Sequence, residues 1–354
     1  MKILHIIQSL RVGGIEKLVF SMMQNDIQNV FILAIEGSPE ELFKAWPVLV
    51  NFQANLIFVD KKKGFNKSVV TNIIKTCKKN SISVIHSHHI GPLIYASLAT
   101  VGLKAIHHVH TEHDVWHLQL WKDWLIQLLI FKLNKKVHLV AVSRYVLNVL
   151  KSYFPKKEIA LIPNGVDTKH FHPGDKQVAR SHFNLPASAV IIGNAGRLEL
   201  IKGQQYLIEA MLKLPPHFYL IIAGQGKLYA PLLRQIQNLN LSDRVILLDG
   251  IEEMTLFYQS CDLFCLSSLD EGLPLSLLEA QSCNIPVVCT NVGGCSEGID
   301  PDSGILVPAI DPEAIAQSCL ILHQKKGSPR EFIIKNFAFE PLLKKYKLLY
   351  LKSL

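Results

Sequence analysis

The chain has 354 residues, 49% of them hydrophobic and 19% charged, and a formal net charge of +8 at pH 7. This composition excludes a disordered chain and supplies enough apolar side chains for two domains of about 150–180 residues each. The positive charge favours an anionic partner such as a nucleotide or an anionic lipid surface. It argues least for nucleic acid, because no recognition helix, zinc finger or RNA-binding signature accompanies the lysines.

Neither a secretory leader nor a membrane span is predicted. The apolar run at residues 3–7 is broken by Gln8, and the run at 124–133 contains Gln127 and Lys132. Both therefore fall well short of about 18 apolar residues. The seven cysteines include no C-x-x-C pair, which predicts reduced core thiols rather than disulfides or a zinc site. We therefore expect a cytoplasmic protein.

The first half of the chain alternates short apolar runs with longer amphipathic ones. The apolar runs predict strands at 2–7, 30–35, 55–60, 83–88, 105–110 and 137–142. Between them the periodicity predicts helices, for example at 15–24, 66–79, 91–101 and 116–133. Strands of this kind separated by helices are typical of a parallel sheet covered on both faces.

The alternation stops at residues 161–175, where Pro, Asn and Gly cluster and predict a hinge. It restarts with strands predicted at 189–193, 218–224, 244–250, 262–267, 286–290 and 304–308. We therefore predict an α/β protein with two doubly wound domains, residues 1–165 and 166–339, facing each other across a cleft. Ligands of such sheets bind beyond the carboxyl ends of the strands, so the loops that follow the strands carry the chemistry.

The first such loop, "LRVGGIEK" at residues 10–17, contains Gly13 and Gly14 just before a helix. Two glycines allow a tight turn and a close approach of a ligand to the backbone. The spacing is not G-x-G-x-x-G, and no acidic residue ends the second strand as a nicotinamide site requires. The pair alone is also compatible with an ordinary turn.

Two loops of the second half carry candidate phosphate-binding residues. Arg197 and Lys202 follow the strand at 189–193, and a guanidinium with an ammonium suits a diphosphate. A surface ion pair is the alternative. Gly224 and Gly226 follow the strand at 218–224 and again allow a ligand to approach closely.

The stretch "DEGLPLSLLEA" at residues 270–280 places Glu271 in a loop and Glu279 inside a helix that starts near Pro274. Proline is tolerated at the first helical position, and the free N–H groups of residues 272–276 attract anions such as phosphate. Alternatively, Ser276 and Glu279 form a capping box, in which the glutamate only satisfies a backbone donor.

Five segments taken together resemble glycosyltransferase family 4. They are "GGIEK" (13–17), "IPNGVD" (162–167), "GRLELIKGQQYLIEAM" (196–211), "AGQGKL" (223–228) and "DEGLPLSLLEAQSCNIPVVCTNVGG" (270–294). The similarity is firmest from about 160 to 310. It implies a retaining, nucleotide-sugar-dependent enzyme of GT-B architecture, two Rossmann-like domains with a terminal helix, here at about 340–354, that returns to the first domain.

The resemblance also implies roles for individual residues. Glu271 and Glu279 match the Glu-x7-Glu motif, whose first glutamate faces the donor sugar and whose second accepts hydrogen bonds from the ribose. Arg197 and Lys202 match the basic residues that neutralise the departing diphosphate. The donor-binding residues expected besides these four are Gly13, Gly14, Gly224, Gly226, Gly272, Leu273 and Leu275.

Histidines cluster at 86–89 and 107–113, which hold seven of the fifteen. Strand alternation places His86 with His88, and His108 with His110, on common faces. No acidic or Cys partner completes a tetrahedral set, so a metal site is not supported. The resemblance implies that His110 contacts the donor sugar and acts in catalysis, with His113 as the alternative.

The segment 117–136 predicts an amphipathic helix with Trp121, Trp124, Leu128 and Phe131 at helical spacing beside lysines. Such a helix packs on a sheet, or it rests on an anionic membrane and contacts a lipid-linked acceptor.

The sequence therefore predicts a retaining glycosyltransferase that moves a sugar from a UDP- or GDP-sugar to a glycan hydroxyl in polysaccharide or lipopolysaccharide biosynthesis. It would work in the cytoplasm or at the inner face of the cell membrane. No Asp-x-Asp motif stands at a strand end, so we expect metal-independent transfer without a cofactor. The alternatives are a nucleotide-sugar epimerase or hydrolase and a non-catalytic nucleotide-sugar-binding protein.

Overall fold

The computed structural model describes residues 1–103, 105–134, 136–251, 253–324 and 327–353. The chain divides into two compact units. The first unit comprises Met1–Pro163 and Leu342–Leu354, and the second comprises Asn164–Pro341. The sequence prediction placed the division after residue 165 and the terminal helix at about 340–354.

The first unit contains a seven-stranded sheet with the order β3-β2-β1-β4-β5-β6-β7. Every pairing in it is parallel. Because the order reverses between β1 and β4, the strands wind outward in both directions from that point. The strands are β1 Ile3–Ser9, β2 Val30–Glu36, β3 Leu56–Phe58, β4 Val84–His88, β5 His107–Glu112, β6 Val137–Ala141 and β7 Ile159–Leu161.

Helices connect these strands and cover the sheet. Local capping explains several starts: the side chains of Ser38, Asn66 and Ser143 each accept a hydrogen bond from a backbone N–H of the first turn. The helices are α1 Gly14–Asn25, α2 Pro39–Ala45, α3 Lys67–Asn80, α4 Ile90–Val101, α5 Trp121–Leu133 and α6 Arg144–Tyr153. The terminal helix α15, Phe339–Ser353, contributes its last residues to this unit.

One face of the first sheet is buried under α3. Val69, Ile73 and Cys77 recur every four residues, which places them on one side of this helix. They share a buried cluster with Leu4 and Ile6 of β1. Burial of such side chains contributes about 1.5–3 kcal/mol each, and it fixes the β1 end from which the first loop departs.

The second unit contains a six-stranded parallel sheet with the order β10-β9-β8-β11-β12-β13. Its strands are β8 Val190–Ala195, β9 Phe218–Ala223, β10 Val245–Leu248, β11 Leu263–Leu266, β12 Val287–Thr290 and β13 Gly304–Val307. Its helices are α7 Lys176–His182, α8 Gln204–Ala210, α9 Tyr229–Asn238, α10 Met254–Ser260, α11 Leu275–Ser282, α12 Cys295–Gly298, α13 Pro312–His323 and α14 Pro329–Phe337. The loops after β8, β9, β11 and β12 therefore leave the same edge of the sheet.

Two parallel sheets with interleaved helices confirm the predicted fold class of two doubly wound Rossmann-like domains. One element was missed, and one local prediction was wrong. The edge strand β7 was not predicted, because three residues are too few to show a periodicity. The helix predicted at 116–133 is interrupted, since Trp116–Gln119 forms a separate 3-10 turn before α5.

Candidate active site

The loops that follow β8 and β9 pack tightly on each other in the second unit. The N–H of Gly196 donates to Ala223 O at 3.0 Å, and that of Leu198 donates to Gln225 O at 2.9 Å. A Cβ atom on Gly224 would lie 1.9 Å from Gly196 O, and one on Gly226 would lie 2.4 Å from Leu198 O. Contact between the two loops therefore requires glycine at both predicted donor-binding positions.

Lys202 and Glu271 come from separate sequence motifs and meet in the second unit. The Lys202 Nζ atom donates to Glu271 Oε1 at 2.6 Å, and the Ser268 Oγ atom donates to the same oxygen at 2.7 Å. Only 20% of the Lys202 side chain and 10% of the Glu271 side chain are exposed. The loops after β8 and β11 are thereby joined by a shielded ion pair.

The loop after β12 holds the backbone of Glu271. The N–H of Gly294 donates to Glu271 O at 2.9 Å. Gly293 has φ +52, and a Cβ atom there would lie 1.9 Å from the same oxygen, so no other residue fits without movement. The sequence prediction did not single out Ser268 or Gly293, and the only local signal was their position just after buried strands.

Helix α11 begins one residue later than predicted. Pro274 is the N-cap with extended backbone (φ −72, ψ 124), and Leu275 is the first helical residue. Ser276 consequently lies inside the helix, and the alternative of a capping box with Glu279 is wrong, because no side chain caps this end. The Tyr258 hydroxyl instead donates to Glu279 Oε2 at 2.6 Å.

Free backbone donors lie at the start of α11. Within the part of the chain that the structure describes, the N–H groups of Gly272, Leu273, Leu275 and Ser276 donate to no other residue. Pro274 between them has no N–H to satisfy. Consecutive free amides at a helix start favour a bound anion such as phosphate.

Arg197 is placed differently from Lys202. Its side chain is 66% exposed, and its Nη1 atom lies 3.3 Å from Glu199 Oε1. An exposed pair of this kind contributes about 0–1 kcal/mol. The surface ion pair considered for this loop is therefore present at Arg197, whereas Lys202 is committed to Glu271.

In the first unit, Gly13 and Gly14 begin α1 at the end of the β1 loop. Gly13 is the N-cap with extended backbone (φ −159, ψ 167), and no side chain caps this end. Its carbonyl accepts from the N–H of Lys17 at 3.0 Å. A Cβ atom on Gly13 would approach the flexible Glu16 carboxylate, so the local structure makes only a weak demand for glycine.

His110 is fully buried on β5. Its Nδ1 atom lies 2.9 Å from Ser87 Oγ, and its Nε2 atom lies 3.0 Å from Glu112 Oε1. Burial alone would raise the pKa of Glu112, but the charge of His110 and hydrogen bonds from His110 and Gln127 lower it to about 2. Glu112 is thus ionised, and both ring nitrogens of His110 are engaged inside this unit.

His113, the alternative candidate, keeps one nitrogen available. Its Nε2 atom lies 2.9 Å from His88 Nδ1. Its buried Nδ1 atom has no hydrogen-bond partner among the described residues. Burial lowers the pKa of His113 to about 3, so the ring is neutral at pH 7.

A group of three histidines could hold a metal ion, and it includes His5, which the sequence prediction overlooked. Potential ligand atoms of His5, His86 and His88 lie within 4.8 Å of one another, and neutral imidazoles are good metal ligands. These rings are already hydrogen bonded: His5 Nδ1 to His88 Nε2 at 3.0 Å, and His86 to Thr111 Oγ1 and Tyr350 Oη, both at 2.7 Å.

Helix α5 exposes an apolar face that differs from the predicted one. Trp121, Leu125 and Leu129 recur every four residues and are exposed, while Phe131 and the polar Gln127 are buried. Gln127 turns inward because its amide donates to Glu112 Oε1 at 2.5 Å. Trp121 and Phe131 therefore do not share the single apolar face that the sequence predicted. Among the described residues, no helix combines the length and apolar character needed to cross a membrane.

Comparisons with known proteins give consistent matches in both units. The family model "Glycosyltransferase Family 4" matches residues 12–170, and the model "Glycosyl transferases group 1" matches residues 175–337. N-acetyl-alpha-D-glucosaminyl L-malate synthase of Bacillus anthracis is 24% identical over 331 residues, which are 89% of this chain and 87% of the relative.

Two further relatives bear on ligands. The UDP-Gal:alpha-D-GlcNAc-diphosphoundecaprenol alpha-1,3-galactosyltransferase of Escherichia coli is 27% identical over 245 residues, 64% of this chain and 62% of the relative. A crystal structure of Anabaena Alr3699/HepE in complex with UDP and glucose superposes with a TM-score of 0.87. It covers all of both chains at 19% identity, and at this identity the similarity establishes the fold.

Proposed function

Because this chain belongs to glycosyltransferase family 4, we propose that it transfers a sugar from a UDP- or GDP-sugar to a glycan hydroxyl with retention of anomeric configuration. The observation that carries the proposal is the joining of Lys202, Ser268 and Glu271 in the unit where, among the described residues, four N–H groups at the start of α11 have no hydrogen-bond partner. An anion site and a carboxylate are the two features that a sugar diphosphate requires.

The diphosphate binds at these amides and draws Lys202 away from Glu271. Lys202 carries a point charge on a flexible stem, so it can exchange a carboxylate for a phosphate oxygen. Glu271 then keeps its hydrogen bond from Ser268 and accepts from the sugar. Arg197, which is exposed and paired with Glu199, adds a second positive charge as the diphosphate departs.

Glu279 binds the nucleotide. Its carboxylate lies on α11 about one turn from the free amides, and Tyr258 engages one of its oxygens. A carboxylate accepts hydrogen bonds from vicinal hydroxyls, which the ribose supplies.

Transfer proceeds without a resident metal, because Lys202, Arg197 and the α11 amides supply the positive potential that stabilises the leaving diphosphate. Removal of metal ions by a chelator tests this directly. Turnover after treatment with EDTA should equal untreated turnover, and restoration by added Mg²⁺ after a loss would contradict the proposal.

Of the two candidate histidines, His113 is better suited than His110 because, in the part of the chain that the structure describes, its Nδ1 atom has no hydrogen-bond partner. His113→Ala should lower turnover in a folded protein, with a modest loss of thermal stability because the buried His88 Nδ1 atom loses its partner. His110→Ala should mainly destabilise the unit, because it leaves the buried Glu112 carboxylate without its His110 partner. If His110→Ala lowers turnover in a fully folded protein and His113→Ala does not, the assignment reverses.

The acceptor we propose is a lipid-linked glycan, with the enzyme at the cytoplasmic face of a membrane. The name of the E. coli relative describes transfer from UDP-galactose to an undecaprenol-linked sugar, and the Anabaena structure contains UDP and glucose. The exposed apolar face of α5 and the net charge of +8 suit contact with an anionic bilayer.

A thermal-shift screen against UDP-, GDP- and ADP-sugars tests donor binding, because a ligand of the native state raises the melting temperature. Analysis of products then identifies the reaction. A new glycoside supports the proposal, whereas an altered sugar nucleotide indicates an epimerase or hydrolase, and binding without turnover indicates a non-catalytic protein. No shift with any donor or free diphosphate would refute the donor site.

A further inference from the structure

Each carboxylate of the glutamate pair is held at one oxygen by a buried hydroxyl. Ser268 Oγ donates to Glu271 Oε1 at 2.7 Å, and Tyr258 Oη donates to Glu279 Oε2 at 2.6 Å. For each glutamate, the second carboxylate oxygen has no hydrogen-bond partner in the described part of the chain. Both glutamates thus keep one oxygen available as an acceptor.

The Tyr258 ring is fixed in place. It is fully buried on α10, and its centroid lies 5.8, 5.4 and 5.7 Å from those of Phe171, Phe257 and Phe264. Packing on several sides leaves the ring no room to follow a moving carboxylate. The phenol can therefore determine where the Glu279 carboxylate lies.

The phenol also stays a donor at every relevant pH. Burial, together with the negative charge of Glu279, holds the pKa of Tyr258 well above its usual value. A neutral O–H that donates to a carboxylate at this length makes a charge-assisted hydrogen bond. Its direction is fixed, because an ionised carboxylate only accepts.

The two glutamates differ in whether a cation lies beside them. Glu271 has an ammonium partner in Lys202 as well as its hydroxyl, whereas no cation pairs with Glu279 among the residues that the structure covers. The free oxygen of Glu279 consequently keeps its full strength as an acceptor for ligand hydroxyls. A neutral anchor achieves this, and a lysine or arginine in its place would not.

We propose that Tyr258 is a positioning residue for nucleotide binding, which fixes the Glu279 carboxylate so that its free oxygen accepts a hydrogen bond from a hydroxyl of the donor's ribose. Ser268 is the corresponding positioning residue for Glu271 at the sugar. This inference rests on the proposed function. It deepens that function by assigning the Tyr258 hydroxyl to nucleotide binding and the Ser268 hydroxyl to sugar transfer.

The experiment compares Tyr258→Phe and Ser268→Ala, each of which removes one hydroxyl that donates to one glutamate. Tyr258→Phe should raise the donor KM and the Kd of the nucleoside diphosphate about five- to tenfold, with kcat changed less than about twofold. Ser268→Ala should lower kcat about tenfold, with the diphosphate Kd nearly unchanged. Tyr346→Phe is the matched control, since it removes another buried phenol O–H, bonded to Thr111 at 3.0 Å, and should leave KM and kcat unchanged.

A double-mutant cycle shows whether Tyr258 acts through Glu279. In the Glu279→Ala background, Tyr258→Phe should have no further effect on the diphosphate Kd, because the group that it positions is absent. A further increase in Kd in that background would overturn the proposal. So would an unchanged Kd for the single Tyr258→Phe variant in a folded protein that binds the diphosphate normally.

If Tyr258→Phe does not fold, Glu279→Gln replaces it. The Gln amide oxygen can still accept from Tyr258, but its NH2 group cannot accept from a ribose hydroxyl. The Kd should then rise about tenfold at an unchanged melting temperature, and an unchanged Kd would overturn the proposal. Failure of the wild-type protein to bind any nucleotide sugar is a distinct result, which refutes the proposed function itself.

Discussion

Lys202 has two roles that depend on the state of the site. Its ammonium neutralises Glu271 at 2.6 Å, and in the proposed reaction it neutralises the diphosphate instead. Arg197 is placed differently, because its exposed side chain pairs with Glu199 at the surface. Replacement of Lys202 should therefore affect both the stability of the fold and turnover, whereas replacement of Arg197 should affect turnover alone.

Lys202→Ala should reduce kcat/KM by about two decades or more, because a preorganised charge at a developing anion contributes about 3 kcal/mol or more. It should also lower the melting temperature, since the shielded Glu271 carboxylate loses its counter-charge. Arg197→Ala should reduce turnover to a similar extent at an unchanged melting temperature. Steady-state kinetics and thermal unfolding of both variants check this, and near-normal turnover in both would remove these residues from the mechanism.

Glu271 and Glu279 should affect different kinetic constants. Glu279→Ala removes a charged acceptor for the ribose, which costs roughly 1.5–3 kcal/mol and raises the donor KM by about one to two decades. Glu271→Ala should lower kcat more than it raises KM, because contacts to the sugar change as the transition state forms. Donor kinetics of the two variants decide this point, and equal effects on kcat and KM in both would contradict the division of roles.

At the scale of elements, β1, β4 and β5 and the segment after β5 contain an unusual density of buried imidazoles. Burial lowers the pKa of His5 and His113 to about 3, and it lowers those of His86, His88 and His108 well below the usual value. His117 is opposite: burial would lower its pKa, but the hydrogen bond to Asp114 and the charge of Glu112 raise it to about 9. These shifts together make the first unit most stable near pH 6.5.

The histidines whose pKa is lowered cost the fold no stability above pH about 6.5, where their rings are neutral in the unfolded state as well. As the pH falls from 6.5 towards 3, the unfolded state binds more protons and stability is lost, by up to about 1.4 kcal/mol per pH unit for each histidine. His117 contributes stability below pH 6.5, which is lost as the pH rises through about 9.

Hydrogen exchange of the β4 and β5 amides as a function of pH measures this dependence in the first unit. Protection should decrease steeply between pH 6.5 and 4.5. His5→Gln should make the decrease shallower, and His182→Gln, at an exposed position of α7, should leave it unchanged. A pH-independent protection in the wild type would contradict the assignment of neutral buried rings.

The sequence predicts those features that local pattern determines. Lys202 and Glu271 could be predicted as site residues because they follow predicted strands, and the loops after parallel strands lie together at the carboxyl edge of the sheet. It could not predict Ser268 or Tyr258 as partners of the glutamates, or His5 as a neighbour of His88, which lies 83 residues away. Such contacts depend on tertiary packing, and so does the inward orientation of Gln127, which leaves Trp121 on the exposed side of α5.

At the scale of the whole molecule, the net charge of +8 and the exposed apolar face of α5 should both favour binding to an anionic membrane. Leu125→Glu combined with Leu129→Glu should reduce binding to anionic phosphatidylglycerol vesicles about tenfold or more, because it removes apolar area and adds repulsion. Val178→Glu and Leu212→Glu, at exposed positions of the second unit, form the control and should bind nearly as the wild type. Equal sedimentation of both double variants with the vesicles would exclude α5 as the contact.

The hydrogen bond between His86 and Tyr350 has a consequence for synthesis on the ribosome. These residues are 264 positions apart, which at about 5–20 residues per second corresponds to a delay of roughly 13–50 s. During that time His86 on β4 lacks the Tyr350 hydroxyl to which it is finally hydrogen bonded, whereas the second unit, an uninterrupted segment, has all its residues earlier. The unit whose synthesis begins first is therefore the last to have all its residues, since a chain that ends between residues 342 and 349 contains every residue of the second unit but lacks Tyr350 of the first.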